Sequence, residues 1–412
     1  MTRKMKDSGI EWIGEIPEDW EVVKIRHIAL AESSGLSVDN LLDDGNYEVY
    51  DANKLVGYLD NNPVKTNYIS IIKDGAGIGR TRLMQKNTNV IGTMNYIIAK
   101  NIDLNYLYYT LQVFDFEKYA TGSTIPHIYF KDYANEYIAL PNNKAQKDIV
   151  KHLDFEVDKI IKLVDKVNEQ IENLENYKKS VITEAVTKGL DKNVEMKDSG
   201  IEWIGEIPKH WKVVPLKHLA IYNQGTLDES TKKDYEFEYI DISSVKYGKG
   251  ILPLETMTFE KAPSRARRIV HDGDIIISTV RTYLKAIATV PSSDKQMIAS
   301  TGFCVVRTNG IIEQGFLKYS VQSEHFISEI ASKSTGVSYP AINSTDLVNI
   351  KVLVPTKSER LEIIKYLDKK TKLIDESIAL KQKQLETLEE YKKSLIYEYV
   401  TGKKEVKDGE ET

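Results

Sequence analysis

The stretch MKDSGIEWIGEIP occupies residues 5–17 and returns unchanged at residues 196–208. Compared over residues 5–29 and 196–220, the two copies agree at 18 of 25 positions. We call these two ranges the duplicated segments. A repeat of this length and fidelity shows that the chain contains an internal duplication.

The two halves diverge after the duplicated segments and agree again further on. TGSTIPHI at 121–128 matches TGVSYPAI at 335–342, and YKKS at 177–180 matches YKKS at 391–394. Each half of the 412 residues is long enough to bury a core of its own. The sequence therefore predicts two similar domains that are related by an internal pseudo-twofold repeat.

The divergent middles are predicted to be mixed α/β domains. YISIIKDGAGIGRTRLM at 68–84 and RRIVHDGDIIISTVR at 267–281 each indicate a strand, a turn and a second strand. DLNYLYYTLQV at 103–113 and EQGFLKYSVQS at 313–323 each indicate a helix.

A coiled-coil pattern follows each middle. Apolar residues alternate at spacings of three and four through more than three heptads in the first half, and six of eight matching positions are apolar in the second. We expect two long helices that pair with each other as an antiparallel coiled coil; the alternative is that each helix lies on its own domain. Gly402 is suited to end the second helix. The seam positions are Val150, Leu153, Val157, Ile160, Val164, Val167, Ile171 and Leu174, and then Ile364, Leu367, Thr371, Ile374, Ile378, Lys381, Leu385 and Leu388.

The composition is typical of a soluble globular protein, with 41% hydrophobic residues, 28% charged residues and a net charge of −5. No apolar run reaches the roughly 18 residues that a membrane span needs, and no secretory signal is recognised, which favours a cytoplasmic protein with no membrane partner. The charge is uneven, because residues 61–100 and residues 261–310 are each basic. Either stretch could meet phosphates, or it could be a solvated face with a chance bias.

The sequence offers no catalytic motif. GAGIGR at 75–80 has the wrong glycine spacing for a dinucleotide site and indicates a tight turn between strands. A phosphate loop and the Asn-Pro-Pro-aromatic or Asp-Pro-Pro-aromatic quartet of amino-methyltransferases are both missing, and the histidines lack zinc-site spacing. Cys304 is predicted to fill the core.

The ordered set of repeated features resembles the specificity subunit of type I restriction-modification systems over essentially the whole chain. Small departures are Lys147, where a glutamate would be expected beside Gln146, and Arg360, where a glutamine would be expected beside Glu359. The matching stretches are SGIEWIGEIPEDWEVVKIRHIA and its copy, TGSTIP and TGVSYP, LPNNKAQKDIVKHLD and VPTKSERLEIIKYLD, and YKKSVITEAVTKG and YKKSLIYEYVTG.

The resemblance implies a fold and a function. Two target recognition domains, separated by the two helices, would each read one half of a bipartite, asymmetric site in double-stranded DNA. The subunit itself would be non-catalytic and bind no cofactor. It would assemble with two methyltransferase (modification) subunits, which use S-adenosylmethionine, and with restriction subunits that use ATP and Mg to translocate and cut DNA. The implied domains are residues 1–146 and 191–360 for recognition, 147–190 for the central spacer helix and 361–412 for the C-terminal spacer helix and tail.

The helices are expected to act as a ruler between the half-sites. Val150–Val181 spans roughly 48 Å at about 1.5 Å per residue, so the half-sites should be separated by a gap with centres about one helical turn apart. We expect that inserting four residues near Asn168 changes the gap and neither half-site.

Basic and polar residues next to the glycine turns are the candidates for DNA binding, because arginine contacts guanine edges and lysine neutralises phosphate. For each of them a solvated or structural position is the alternative. In the first domain they are Lys73, Arg80, Arg82, Ser123, Thr124 and His127, and in the second Arg265, Arg267, Arg268, Arg281, Tyr283, Lys285, Ser338 and Tyr339.

The four tryptophans of the duplicated segments occur in both copies and so cannot encode two different half-sites; they are expected to be core or docking residues. A rival interpretation of the whole chain is a coiled-coil scaffold with two domains that bind proteins or glycans rather than DNA. It predicts little dependence of ligand binding on salt. A self-sufficient nuclease or methyltransferase is disfavoured, since no motif supports it.

Overall fold

The structure is a computed structural model that describes residues 3–122 and 124–406. The chain forms two compact units. Residues up to Val167 make the first unit together with those from Lys383 onward, and residues 168–382 make the second. Each unit contains one α/β domain and parts of two long helices, so the mixed α/β fold and the internal repeat are confirmed. No helix in this part of the chain is both long and apolar enough to cross a membrane.

The domain of the first unit is built on two sheets. One has the strand order β4-β10-β7-β8 and is antiparallel throughout, and the other has the order β6-β5-β9. The strands are β1 (Met5–Asp7), β2 (Glu15–Pro17), β3 (Glu21–Lys24), β4 (Ala29–Ser33), β5 (Tyr47–Tyr50), β6 (Leu55–Leu59), β7 (Tyr68–Ile72), β8 (Thr81–Met84), β9 (Asn89–Val90), β10 (Met94–Ala99) and β11 (Tyr137–Leu140), and the helices are α1 (Ile25–Ile28), α2 (Leu104–Gln112) and α3 (Phe130–Tyr133).

The first long helix, α4, covers Asn143–Lys188. The Asn142 side chain caps its start, since its Oδ1 accepts a hydrogen bond from the Ala145 backbone N at 3.0 Å. The helix stops before Gly189, which takes a left-handed φ of +77°. Its limits lie close to the expected range 147–190, with an earlier start and an earlier end.

The domain of the second unit repeats this plan. Its sheet β15-β24-β21-β22 corresponds in order and direction to β4-β10-β7-β8, and its other large sheet is β19-β16-β23-β20. The strands are β12 (Met196–Asp198), β13 (Glu206–Pro208), β14 (Lys212–Pro215), β15 (Ala220–Tyr222), β16 (Glu236–Ile240), β17 (Val245–Lys246), β18 (Gly250–Ile251), β19 (Thr256–Thr258), β20 (Ala266–Val270), β21 (Ile275–Ser278), β22 (Ile287–Thr289), β23 (Met297–Ser300), β24 (Phe303–Thr308) and β25 (Lys351–Val354), and the helices are α5 (Gln314–Gln322), α6 (Glu324–Lys333) and α7 (Ser344–Val348).

The predicted strands and helices of the middles are present. β7 and β8 form the expected hairpin, and α2 and α5 lie within the two stretches predicted as helical. The second strand–turn–strand prediction is also correct, although its two strands do not pair with each other. β20 joins β23 in one sheet and β21 joins β24 in the other, because the turn at Asp272–Gly273 carries the chain from sheet to sheet.

The duplicated segments fold alike. In β1 and β2, Met5 lies opposite Pro17, and in β12 and β13, Met196 lies opposite Pro208. The same glycines take left-handed φ values in both hairpins. Identical sequence therefore presents an identical backbone in each unit.

The second long helix, α8, covers Lys357–Val400 and is followed by Gly402 at a φ of +75°. The predicted seam positions of both helices are buried or half-buried. In the first unit the start of α4 and the end of α8 share a core that includes Leu153 and Ile396. In the second unit the end of α4 and the start of α8 share a core that includes Val186 and Leu367. The helices therefore pair antiparallel, as predicted, and each also packs on the α/β domain of its unit.

The tryptophans of the duplicated segments divide into two kinds. Trp20 and Trp211 are fully buried, whereas Trp12 is half-buried and Trp203 is 57% exposed. Cys304 lies in the core as expected, and burial raises the pKa of its thiol to about 11.

Candidate nucleic-acid interface

Two predicted loops of the first domain lie side by side. The turn between β7 and β8 pairs with the loop that contains TGSTIPHI: the Ile128 backbone N donates to the Lys73 carbonyl at 2.9 Å, and the Gly75 N donates to the Pro126 carbonyl at 2.9 Å. The second loop closes on itself, because Thr121 and His127 exchange backbone hydrogen bonds of 2.9 and 2.7 Å. We call this arrangement the first loop pair.

The first loop pair carries a histidine–carboxylate pair at its surface. The carboxylate of Asp74 can only accept, so Nδ1–H of His127 donates to its Oδ1 over 2.7 Å. This bond fixes the ring and its tautomer. A cavity of about 470 Å³ lies beside it, and Lys73 lines that cavity. Thr124 is exposed on the loop, and Ser123 lies outside the residues that the structure describes.

Arg80 and Arg82 extend from the same turn into β8, and both are exposed. The Arg80 Nη2 donates to the Asn53 side-chain oxygen at 2.9 Å, and the Arg82 guanidinium stacks on the Tyr50 ring at 4.9 Å from its centroid. The smaller sheet β6-β5-β9 and its turn therefore hold these two arginines.

The second domain builds the same loop pair. The Ile342 backbone N donates to the Thr279 carbonyl at 2.9 Å, as Ile128 does to Lys73, and Thr335 and Ala341 exchange two hydrogen bonds of 2.9 Å. Val280 bridges Ala341 as Asp74 bridges His127. We call this the second loop pair.

The side chains of the second loop pair are different. The Arg281 guanidinium stacks on the Tyr339 ring at 5.2 Å, and Lys285 lies 5.7 Å from the centroid of the Tyr247 ring. Tyr283 is 57% exposed and Tyr339 66% exposed, and Ser338, next to Tyr339 in the chain, is also exposed. The structure thus groups five of the predicted residues: Arg281, Tyr283, Lys285, Ser338 and Tyr339.

The three arginines near β20 have different surroundings. Arg265 is exposed, and its carbonyl accepts a hydrogen bond from the Thr301 N at 2.8 Å. The next residue, Gly302, accepts from the Thr279 N at 2.8 Å, so Arg265 lies near the second loop pair. Arg267 stacks on the Phe259 ring at 4.6 Å and Arg268 is half-buried, so neither belongs to the second loop pair.

Sequence reasoning missed several residues that shape these surfaces. Asp74 is the only acidic residue in the basic stretch 61–100, and that isolation is a usable signal. Tyr247 gave no such signal, since only the folded chain brings it to Lys285. The remaining missed residues line the cavity of the first loop pair: Ser33, Asn95, Tyr129 and Lys131.

Comparison with known proteins identifies the family. The profile of the type I restriction modification DNA specificity domain matches residues 17–173 and again residues 208–390. The chain belongs to the type I specificity subunits. Each match runs from a duplicated segment through one recognition domain into a long helix, so the repeat found in the sequence is a repeat of the specificity domain itself.

The relatives of this specificity subunit span nearly its whole length. It is 30% identical over 420 residues to the type I restriction enzyme MjaVIII specificity subunit of Methanocaldococcus jannaschii, covering 95% of both chains. It is 27% identical over 434 residues to the putative type I restriction enzyme MjaX specificity subunit of the same organism, covering 96% of both. The resemblance inferred from the sequence is confirmed.

A solved structure shares the fold. A chain from a study of complex assembly and conformational transition of the type I R-M system superimposes with a TM-score of 0.63 at 14% identity, covering 93% of this chain and 98% of that one. At this identity the likeness concerns the fold of the specificity subunit. Within the residues that the structure describes, no group of three or more His, Cys, Asp or Glu side chains is placed to hold a metal ion.

Proposed function

We propose that this specificity subunit recognises double-stranded DNA, with each α/β domain reading one half of a bipartite, asymmetric site. The observation that carries this proposal is the loop pair, which is built twice with matching backbone hydrogen bonds and different side chains. A constant frame with variable side chains is what two readers of unlike sequences require. Because the symmetry is only approximate, the site need not be a palindrome.

The exposed cations favour DNA over a protein or glycan ligand. Arg80 and Arg82 in the first domain and Arg265, Arg281 and Lys285 in the second are exposed. Such side chains neutralise phosphates and contact base edges. Arg80 and Arg82, held by the smaller sheet, suit backbone contacts, whereas residues on the loop pairs suit base contacts.

The duplicated segments support docking of two copies of one partner. Their hairpins have the same register in both units, so the chain offers the same local surface twice, and equal surfaces recruit equal partners. The partners would be two methyltransferase subunits, joined by restriction subunits in the cytoplasm. The S-adenosylmethionine, ATP and Mg would be held by those subunits, and this chain would catalyse nothing by itself.

The test is to co-express the chain with its methyltransferase subunit and to map N6-methyladenine across the host genome by single-molecule sequencing. We expect methylation confined to one split, asymmetric motif. A stable complex without any motif would overturn the DNA-reading proposal and favour the scaffold interpretation.

Salt dependence gives an independent check. Phosphate contacts are expected to weaken steeply between about 50 and 200 mM salt, so affinity of the complex for a duplex carrying the motif should fall by orders of magnitude in that range. The purified chain alone should neither cut nor methylate DNA.

A further inference from the structure

The turns of the two loop pairs take left-handed backbone at the same two places. Gly75 and Gly79 take left-handed φ values of +101° and +80°, and Arg281 and Lys285, at the corresponding places, take +49° and +50°. Inside each turn the fourth residue donates to the first: Ile78 to the Gly75 carbonyl at 3.2 Å, and Leu284 to the Arg281 carbonyl at 2.9 Å. The first domain therefore shows which residues this turn accepts without strain.

Arginine and lysine are unfavourable in left-handed backbone, whereas glycine is not. Such strain persists where the side chain is needed for function. Burial does not offset it here, because Arg281 and Lys285 are both exposed. Glycine forms such a turn more easily, so the presence of these two side chains indicates that they have a role other than stabilising the fold.

The surroundings of Arg281 leave its donors available. The guanidinium stacks on the exposed Tyr339 ring at 5.2 Å and forms no ion pair within the described residues. Stacking restricts the orientation of the planar group and leaves its N–H edge open. This edge can donate two hydrogen bonds to one guanine, to O6 and N7. Lys285 is a point charge without such geometry and suits a phosphate.

In the first domain the turn has no side chain at the position of Arg281, and the functional side chains lie at other positions. Gly75 has no side chain, and a Cβ built there would meet nothing within 4 Å. In return, His127 stands where the second domain has Ala341, and Asp74 stands where it has Val280. Nδ1–H of His127 donates to Asp74, which leaves Nε2 of the neutral ring as an acceptor, and Nε2 makes no hydrogen bond to the described residues. An acceptor matches the amino group of adenine or cytosine.

We propose that the two domains read bases from different parts of the loop pair: Arg281, on the turn and supported by Tyr339, reads a guanine in the second half-site, and His127, on the facing loop and oriented by Asp74, reads the amino group of an adenine or cytosine in the first. This inference rests on the proposed DNA-reading function. It adds which positions carry specificity and which bases they select.

The first experiment maps methylation in cells that express the complex with Arg281→Gly, with Arg281→Lys or with His127→Ala. Both Arg281 variants should lose discrimination at a single guanine of the second half-site, by about 10- to 100-fold against the other bases, and leave the first half-site intact. His127→Ala should relax a single adenine or cytosine of the first half-site. Arg281→Gly should unfold at no lower temperature than the unsubstituted chain, because glycine forms the equivalent turn.

The second experiment measures binding of the purified complex to duplexes with the mapped motif. Replacing the assigned guanine by 7-deazaguanine, which lacks N7, should weaken binding by the unsubstituted complex and leave that of the Arg281→Gly complex unchanged. A normal motif in the unsubstituted complex that stays unchanged in Arg281→Gly, or relaxation at a base other than guanine, would overturn this inference alone. Absence of any motif in the unsubstituted complex would overturn the proposed function as well.

Discussion

A single substitution between the repeats leaves a buried tryptophan without a hydrogen-bond partner. In the second unit the Trp211 Nε1 donates to the Glu359 carboxylate at 3.1 Å. In the first unit Ala145 occupies the position of Glu359, and the Trp20 Nε1 is buried with no acceptor in the part of the chain that the structure describes. An unsatisfied buried donor costs about 1–3 kcal/mol. The comparison of the two repeats therefore shows where a substitution can stabilise the first unit.

We therefore predict that Ala145→Gln stabilises the first unit. Its amide oxygen can accept from Trp20, and glutamine is preferred to glutamate because Asp19 stands where the second unit has His210. A gain of about 1 kcal/mol should raise the thermal midpoint by about 2–4 °C. Asn143→Gln, at an exposed site in the same helical turn, is the matched control and should have no effect. Equal midpoints for Ala145→Gln and the unsubstituted chain would contradict the prediction.

Glu359 itself closes a capping box at the start of α8. The Thr356 N and Oγ1 both donate to Glu359 Oε2, at 2.9 and 2.6 Å, and His210 and Trp211 reach Oε1. Burial raises the pKa of this carboxyl, but the hydrogen bonds outweigh burial and lower it from 4.5 to about 2.

The lowered pKa predicts how the stability of α8 depends on pH. A carboxylate with a lowered pKa stabilises the folded state above its unfolded pKa, and this contribution is lost as the pH falls through the folded value. Glu359→Gln should cost about 1 kcal/mol at neutral pH, and the difference between the two proteins should shrink between about pH 4.5 and pH 2. Urea midpoints of both proteins measured across that range provide the check. A difference that stays constant would show that the charge of Glu359 does not matter.

At this scale the sequence pointed to the loops that form the loop pairs but not to the contacts of their side chains. The matching TGSTIPHI and TGVSYPAI stretches drew attention to His127, Ser338 and Tyr339. Left-handed backbone at Arg281 could not be predicted, because only alignment of the two folded turns shows that Gly75 is its counterpart. The two loops have different sequences, so no letter-by-letter match connects them.

At the scale of elements, the start of each long helix is fastened to its recognition domain by a different pair of residues. In the first unit Gln146 accepts from the Asp103 backbone N at 2.8 Å and donates to the Pro141 carbonyl at 2.8 Å. In the second unit Arg360 donates to the Pro355 carbonyl at 2.8 Å and forms an ion pair with Glu313. Arg360 holds the pKa of Glu313 below its usual value.

This correspondence predicts that the two residues of each pair must change together. Arg360→Gln alone leaves Glu313 half-buried without its cation and should destabilise the start of α8 by about 2 kcal/mol, less than the 3–5 found for fully buried pairs. Arg360→Gln combined with Glu313→Asp recreates the pair of the first unit and should recover most of the loss. Hydrogen exchange at the first turns of α8 would measure both effects. No recovery in the double variant would mean that the pairs are not equivalent.

Long periodic elements were the most predictable part of the fold. The seam from Val150 to Leu174 sets the buried face of α4 by spacing alone, and burial follows it residue by residue. The pairing of β20 and β21 with different sheets could not be predicted, because a strand's local pattern contains no information about its partner.

At the scale of the molecule, the end of α8 and the residues just after it contact the first duplicated segment. The Tyr397 hydroxyl donates to the Trp12 carbonyl at 2.9 Å, and Lys403 donates to the Ile13 carbonyl. In the second unit Lys188, at the end of α4, donates to the Ile204 carbonyl at 3.1 Å. The end of each long helix thus contacts the same position of a duplicated segment. For α4 this segment follows directly in the chain, whereas for α8 it lies at the other end of the sequence.

The ruler prediction treats both helices as spacers, so its test must lengthen both. An insertion in α4 alone would shift its seam against α8, whereas seven residues added to both helices keep both seams in phase. Suitable inserts repeat IKLVDKV (161–167) after Val167 and KQLETLE (383–389) after Gln382, which are the positions where the two units divide the helices.

The doubly extended chain should recognise the same two half-sites with a longer gap. Seven helical residues add about 10 Å, and duplex DNA rises about 3.4 Å per base pair, so the gap should grow by about three base pairs. Methylation mapping of the co-expressed complex would read the gap directly, and the chain with the α4 insert alone serves as the control in which the two helices differ in length. Since the loop pairs are untouched, altered half-sites would mean that the inserts disturb the domains, and an unchanged gap would mean that the helices do not set the spacing.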